Sequence, residues 1–215
     1  MLPDARWRPY AATGMLLACA ASMNLATGNR LWMGYTVFGA SLLLIAIGLA
    51  RLKGWFIPPR PAWLLGAMAA LHYGGGSLSG LHQVGGANGL YYAFPWWDNL
   101  VHIVGSTAVG LASAMAVHAV LPGRRWAAFA LAACVATTFG VLVELYEFSQ
   151  FAWFGTVDQG YYTNTMVDLY NNLVGAMLGA WLFARDPDGM MARDMPPTPA
   201  AAQDGSDAPP ASAAE

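Results

Sequence analysis

The chain has 215 residues, of which 57% are hydrophobic and only 10% are charged, with a formal net charge of −2 at pH 7. Soluble domains carry about a quarter of their residues as charged side chains, so this composition excludes an ordinary soluble protein. It indicates an integral membrane protein whose main partner is the lipid bilayer, and no nucleic-acid partner is expected.

Six apolar runs in the sequence have about the 20 residues that are needed to span a bilayer. They cover approximately 10–28, 31–50, 61–82, 98–121, 126–151 and 164–184. We therefore predict an all-α fold, a polytopic bundle of six transmembrane helices within residues 1–185. The segment 186–215 is predicted to be a disordered cytoplasmic tail, because it cannot bury enough apolar surface to become ordered.

The basic residues indicate how this bundle is oriented. Nine of the ten Lys and Arg residues fall on one side of the six spans, and only Arg30 falls on the other. Because cytoplasmic loops carry the excess of Lys and Arg, both termini are predicted to be cytoplasmic and the protein is expected in the bacterial inner membrane. A cleaved signal is the alternative for the first run, but this run stays apolar past Cys19 as far as Ala26.

Polar and ionisable side chains are concentrated in the outer, periplasmic half of the predicted bundle. They come from four different spans, whose alternating directions bring them to the same level. An ionisable group within a bilayer is costly unless it is paired, hydrated or bound. We therefore predict a functional site in this polar layer, which contains His72, His82, Asp98, His102, Glu144, Glu147, Asp168, Asn171 and Asn172.

Two spacings in the polar layer place side chains on a shared helical face. Asp98 lies four residues before His102, and Glu144 lies three residues before Glu147. Carboxylate and imidazole ligands from facing helices suit a divalent metal ion such as Zn, Mn or Fe. The predicted metal ligands are Asp98, His102, Glu144, Glu147 and Asp168.

The residues leave three other functions open. Glu144, Glu147 and Asp168 could be catalytic as general acid and base towards a lipid-linked or headgroup substrate, although no Gly-x-Ser-x-Gly or Ser-x-x-Lys nucleophile motif occurs. The layer could instead be a hydrogen-bonded network in a non-catalytic subunit that packs helices, binds a membrane partner or forms a homo-oligomer. A small-solute transporter would be expected to have an inverted repeat with broken helices at the midplane, and the sequence shows neither clearly.

Three segments, in order and spacing over residues 95–180, resemble the YjdF-like family of bacterial inner-membrane proteins. They are Trp97-Asp98-Asn-Leu-Val-His102, Glu144-Leu-Tyr-Glu147-Phe and Asn164-Thr-Met-Val-Asp168-Leu-Tyr-Asn171-Asn172-Leu-Val-Gly175-Ala. A weaker similarity to VanZ-like proteins comes from Asp-x-x-x-His, Glu147-Phe-Ser-Gln150 and Asp168 to Gly175. Asn164 replaces the usual Asp of the first family, and the Arg that the second expects between Gln150 and Asp168 is missing. The resemblance implies where the site lies, but it implies no particular reaction.

Overall fold

The computed structural model describes residues 5–81, 89–154 and 162–194, and every element in these ranges is helical. This confirms the predicted all-α class. In chain order the elements are a 3-10 turn (Ala5–Trp7), α1 (Arg8–Thr27), α2 (Arg30–Lys53), α3 (Pro59–Ala69), a π-helical turn (Ala70–Gly74), α4 (Gly75–Ser77), a 3-10 turn (Leu78–Leu81), α5 (Leu90–Ala93), α6 (Trp97–Val120), α7 (Arg125–Phe154), α8 (Tyr162–Arg185) and α9 (Pro187–Asp194).

Three helices in the described part of the chain are long and apolar enough to cross a membrane, namely α2, α6 and most of α7. Helices α1 and α8 have 20 and 24 residues, which is also sufficient length to cross a bilayer. The first half of α8 is less apolar, because it carries Asp168, Asn171 and Asn172. Helix α8 therefore has the length of a spanning helix, but these polar residues make it less apolar than α2, α6 and α7.

The third predicted span is not one continuous α-helix. Helix α3 passes into the π-helical turn and then into α4. Glycines in this region allow large rings to approach the backbone, since a Cβ added at Gly75 would lie 2.6 Å from Nε1 of Trp97, and one added at Gly76 would overlap the ring of Trp32. The Gly74–Gly76 triplet therefore accommodates both a change of helix type and close packing.

Helices α6, α7 and α8 pack against one another around a core of Leu111, Ala114, Met115, Ala128, Ala132, Ala180 and Phe183. The contact between α6 and α8 is unusually close. A Cβ added at Gly175 would lie 2.5 Å from the carbonyl oxygen of Ile103, and one added at Gly110 would lie 2.5 Å from that of Ala176. Small residues thus let these two backbones touch, as is common between membrane helices.

Helices α1, α2 and α3 form a second packed group, with Leu17, Ala20, Ala69 and Tyr73 at its centre. This group joins the first through α3, where Met68 contacts Gly105 of α6. Large apolar side chains remain on the outside, including Leu44 at 67% and Ile45 at 59% exposure. Exposed apolar surface of this kind is expected of a protein that is surrounded by lipid.

Helix α9 lies within the segment for which the sequence predicts disorder. Asp194 is buried, and its Oδ1 lies 3.8 Å from Nε of Arg60 at the start of α3. Met190 and Met191 pack against the core of α6, α7 and α8. Composition alone does not reveal these partners, because they come from distant parts of the chain. Residues 195–215 of the predicted tail lie outside the described residues.

Candidate functional site

The candidate site is centred on the buried imidazole of His102, one helical turn after Asp98 in α6. The close contact between α6 and α8 brings Asp168 and Asn172 against this ring, and the adjacent α7 supplies Glu144. Of the four spans that are predicted to supply the polar layer, three therefore contribute side chains around His102. The two nitrogens of the imidazole face different groups.

The Nε2 atom of His102 faces two carboxylates. It lies 3.4 Å from Oδ1 of Asp98 and 3.8 Å from Oδ1 of Asp168. One potential ligand atom from each of the three residues lies within 4.8 Å of the others. The sequence places these residues in two different helices, and the structure brings them to one point.

Asn164 holds the two carboxylates in this orientation. Its Nδ2 donates to Oδ2 of Asp168 at 2.6 Å and to Oδ2 of Asp98 at 3.4 Å. Each carboxylate is therefore held through its outer oxygen and turns the other oxygen towards His102. The family resemblance identifies Asn164 by the acid that it replaces, yet its position four residues before Asp168 on the same helical face could have indicated this contact.

The Nδ1 atom of His102 faces Asn172 and Glu144 on the other side of the ring. It lies 3.2 Å from Oδ1 of Asn172, which also accepts a hydrogen bond from Oγ of Ser106 at 2.7 Å. Oε1 of Glu144 lies 3.7 Å from the same nitrogen. Since carbonyl and carboxylate oxygens accept and do not donate, the contact with Asn172 is a hydrogen bond when Nδ1 carries a proton. In the neutral ring, the lone pair of Nε2 then points towards Asp98 and Asp168.

Several oxygens in this site are buried without a hydrogen-bond partner among the described residues. They are Oδ1 of Asp168 and both carboxylate oxygens of Glu144. Burying such groups unpaired costs several kcal/mol, more if they are charged. The described protein groups therefore leave these oxygens without a hydrogen bond or a counter-charge. A proton, a water molecule or a cation would supply one.

The group around Nε2 fits a small divalent cation. Ligands held 2.0–2.2 Å from Zn²⁺ in a tetrahedron are about 3.3–3.6 Å apart. The two distances from Nε2, 3.4 and 3.8 Å, are close to that range. Glu144 lies on the other side of the imidazole, so the structure divides the predicted ligands into a group at Nε2 and a group at Nδ1.

The remaining predicted residues surround this centre. Glu147 is half-buried one turn beyond Glu144, near enough for its charge to interact with those of Glu144 and His102. Asn171 is half-buried, and its amide nitrogen has no hydrogen-bond partner among the described residues. His82 lies outside the described residues.

His72 belongs to an aromatic cluster in the π-helical turn. Its Nδ1 lies 2.5 Å from the hydroxyl of Tyr91. Its ring also contacts Trp32, Tyr35 and Tyr73. The structure does not place His72 in the group of potential ligands at Asp98, His102 and Asp168. The contacts of His72 are those of a hydrogen-bonded interior histidine, which explains its position without a metal.

The site opens towards the N-terminal ends of α6 and α8. The side chain of Asp98 is 29% exposed, whereas those of His102 and Asp168 are 8% and 2% exposed. Asn164, which bridges the two aspartates, is also exposed. A small ligand would therefore reach Nε2 past Asp98 and Asn164.

Residues 9–188 match the family model described as "Predicted membrane protein (DUF2238)". The matched range contains nearly all of α1 and the whole of α2 to α8, and so it includes every residue of the candidate site. No curated protein and no solved structure matches the chain.

Proposed function

The chain belongs to this family of predicted membrane proteins, and from that premise we propose that it binds one divalent metal ion in its helical bundle and uses it for chemistry on a lipid or lipid headgroup. The observation that carries the proposal is the convergence of Asp98, His102 and Asp168 around one point. Zn, Mn and Fe are the candidate ions, since all accept carboxylate and imidazole ligands.

We further propose six spans, with both termini in the cytoplasm of a bacterial cell and the metal site in the periplasmic half of the inner membrane. The distribution of Lys and Arg supports this orientation. The opening beside Asp98 would then lie at the level of the outer headgroups, within reach of a lipid substrate.

A phosphatase reporter fused to the C terminus tests this orientation. The reporter should stay inactive, because it would lie in the cytoplasm, and an active reporter would contradict the orientation.

In this proposal Asp98, His102 and Asp168 hold the metal, and Asn164 orients the two carboxylates. A metal in such a site can polarise a substrate oxygen and activate a bound water. Asn172 and Glu144 act on His102 from its Nδ1 side. Metal-binding imidazoles almost always donate their second N–H to a carbonyl or carboxylate, which fixes the ring. Glu144 and Asn172 are therefore positioning residues, a different role from the one that the sequence predicts for Glu144.

Metal analysis of the purified protein is the first test. We expect about one Zn, Mn or Fe per chain in the wild type and a large loss in Asp168→Asn, which removes a charged ligand without changing side-chain size. Asp188→Asn is the matched control, because the Asp188 side chain is fully exposed. A wild type that stays metal-free after supply of all three metals would refute the proposal.

The Glu144→Gln variant tests the link between metal and chemistry. We expect it to keep its metal when metal is in excess, but to lose about 10- to 100-fold in metal affinity or turnover, the usual effect of removing a group that orients a metal ligand. Turnover would be measured as headgroup release from outer-leaflet phospholipids in proteoliposomes. Unchanged affinity and turnover in Glu144→Gln would contradict its positioning role.

A structural role is the competing function, and one observation favours it. Ser106 and His102 in α6 both hydrogen-bond to Asn172 in α8, so the polar layer also joins two helices. A purely structural network would bind no metal, and substitutions in it would only lower stability or assembly. The metal analysis separates the two functions.

A further inference from the structure

The candidate site and its opening have no lysine or arginine of their own. The sequence contains no Lys or Arg in residues 61–123 or 126–184, and every residue of the site falls within these two ranges. Arg30, the remaining basic residue on this side of the predicted bundle, begins α2 in the second packed group. A headgroup whose only charge is its phosphate would therefore find no basic side chain beside the metal.

Acidic side chains, in contrast, come to this site from three helices. Asp98, Glu144 and Asp168 converge on His102, and Glu147 is near enough for its charge to interact with those of Asp98 and Asp168. Oδ1 of Asp168 and both oxygens of Glu144 are buried without a hydrogen-bond partner among the described residues. One divalent ion thus faces four carboxyl groups, and charge complementarity favours a ligand that brings a further cation.

Aromatic rings lie beside these acids at the opening. Phe94 and Trp96 are 42% and 53% exposed, with ring centres 5.5 Å apart, and the Trp97 ring lies 5.8 Å from that of Trp96. Trp97 directly precedes Asp98, and its Nε1 donates to the carbonyl oxygen of Leu71 at 3.2 Å, which fixes the ring. The faces of aromatic rings attract ammonium groups, so the opening offers both kinds of partner that an organic cation needs.

Glu147 is the acid that remains for such a cation. The proposed metal ligands do not include it, and Glu144 is occupied beside the imidazole ring. The Glu147 side chain is half-buried, and no hydrogen bond joins its carboxylate to another residue in the described part of the chain. It is also near enough to interact electrostatically with the hydroxyl of Tyr91 in α5. Its carboxylate therefore lies near both the metal ligands and the segment that carries the aromatic rings.

We propose that the site takes a phospholipid whose headgroup carries a primary ammonium group beside its phosphate, as phosphatidylethanolamine does. This inference rests on the proposed function and names its substrate class. The phosphate lies at the metal ion, the ammonium group donates to Glu147, and the rings of Phe94 and Trp96 lie beside it. A primary ammonium is specified because a quaternary one has no N–H to donate to a carboxylate.

Native mass spectrometry of the detergent-purified full chain tests the choice of headgroup. After incubation with equimolar phosphatidylethanolamine and phosphatidylglycerol of identical acyl chains, we expect the wild type to prefer phosphatidylethanolamine by at least about 10-fold, the effect of a hydrogen bond to a charged group. Glu147→Gln should lose this preference, because it removes the charge and keeps the size. Asp188→Asn is the matched control, since the Asp188 side chain is fully exposed, and it should keep the preference.

Two results would overturn the proposal: equal retention of both lipids by the wild type, or an unchanged preference in Glu147→Gln. The wild-type comparison decides even if Glu147→Gln does not fold.

The aromatic rings provide a second arm of the test. Trp96→Leu should reduce the preference by about 2- to 5-fold, the usual effect of an exposed ring on a cation. Trp63→Leu is the control, because Trp63 is 50% exposed and lies near the start of α3, which contacts α9. Equal effects of the two substitutions would contradict a position of the ammonium group beside Phe94 and Trp96.

Metal content separates this inference from the function on which it rests. A wild type that binds no metal but still prefers phosphatidylethanolamine would refute the metal chemistry and support the headgroup preference. A metal-bound wild type that retains both lipids equally would refute the preference alone. Glycerophosphoethanolamine, which has the same headgroup without acyl chains, should not displace the lipid at equal concentration. Displacement would identify the ligand as a soluble phosphoester and overturn its assignment as a lipid.

Discussion

Replacement of both Asp98 and Asp168 by asparagine is expected to abolish the stabilisation of the protein by divalent metal. A ligand that binds only the folded state stabilises it by about 2.7 kcal/mol at a concentration of 100 times Kd. The wild type should therefore unfold at a higher temperature when Zn, Mn or Fe is added, and the double variant should not respond. Thermal unfolding in detergent, with and without metal, measures this difference.

The same variant also distinguishes a metal site from a structural network in the metal-free protein. Without metal, the two carboxylates face each other across Nε2 of His102, so neutral amides should leave the protein at least as stable as the wild type. Asp188→Asn should keep the full metal response. A marked loss of metal-free stability in the double variant, together with a wild type that ignores metal, would show that the aspartates serve packing instead.

The Gly179→Ala variant is expected to destabilise the bundle by more than about 2 kcal/mol, at the upper end of the cost of overpacking. A Cβ at this position would overlap the carbonyl oxygen of Thr107 and lie 2.7 Å from the backbone nitrogen of Leu111. Both atoms belong to the backbone of α6, so neither can move aside as a flexible side chain would. Helices α6 and α8 would have to separate, and the site between them would open.

Gly48→Ala is the matched control for this prediction. Gly48 lies within α2, and a Cβ added there would meet no atom within 4 Å. Alanine is also the better helix former by about 1 kcal/mol, so the control should be neutral or slightly stabilised. The two variants should therefore shift the unfolding temperature in opposite directions or by clearly different amounts. Equal shifts would mean that the contact between α6 and α8 does not limit stability.

The sequence by itself determined the class of the protein and the helical spacing of two of its candidate site residues. A composition of 57% hydrophobic and 10% charged residues, arranged in runs of about 20 apolar residues, is typical of helices in lipid. The i and i+4 spacing of Asp98 and His102 was enough to place both on one helical face, because a helix fixes the relation between neighbouring turns. These conclusions depend on local geometry, and local geometry can be read from a single sequence.

Only the tertiary structure decided which of these side chains meet. It placed Glu144 at Nδ1 of His102 and Asp98 and Asp168 at Nε2, a division that depends on how α6, α7 and α8 are rotated about their axes. It also showed that Asn164 hydrogen-bonds to Asp98 in α6 and to Asp168 in α8. His72 lies in an aromatic cluster and does not belong to the group around His102. Helix rotation is set by packing, here by the glycine contacts of α6 with α8. Such contacts join residues that are far apart in the chain, and no local spacing encodes them.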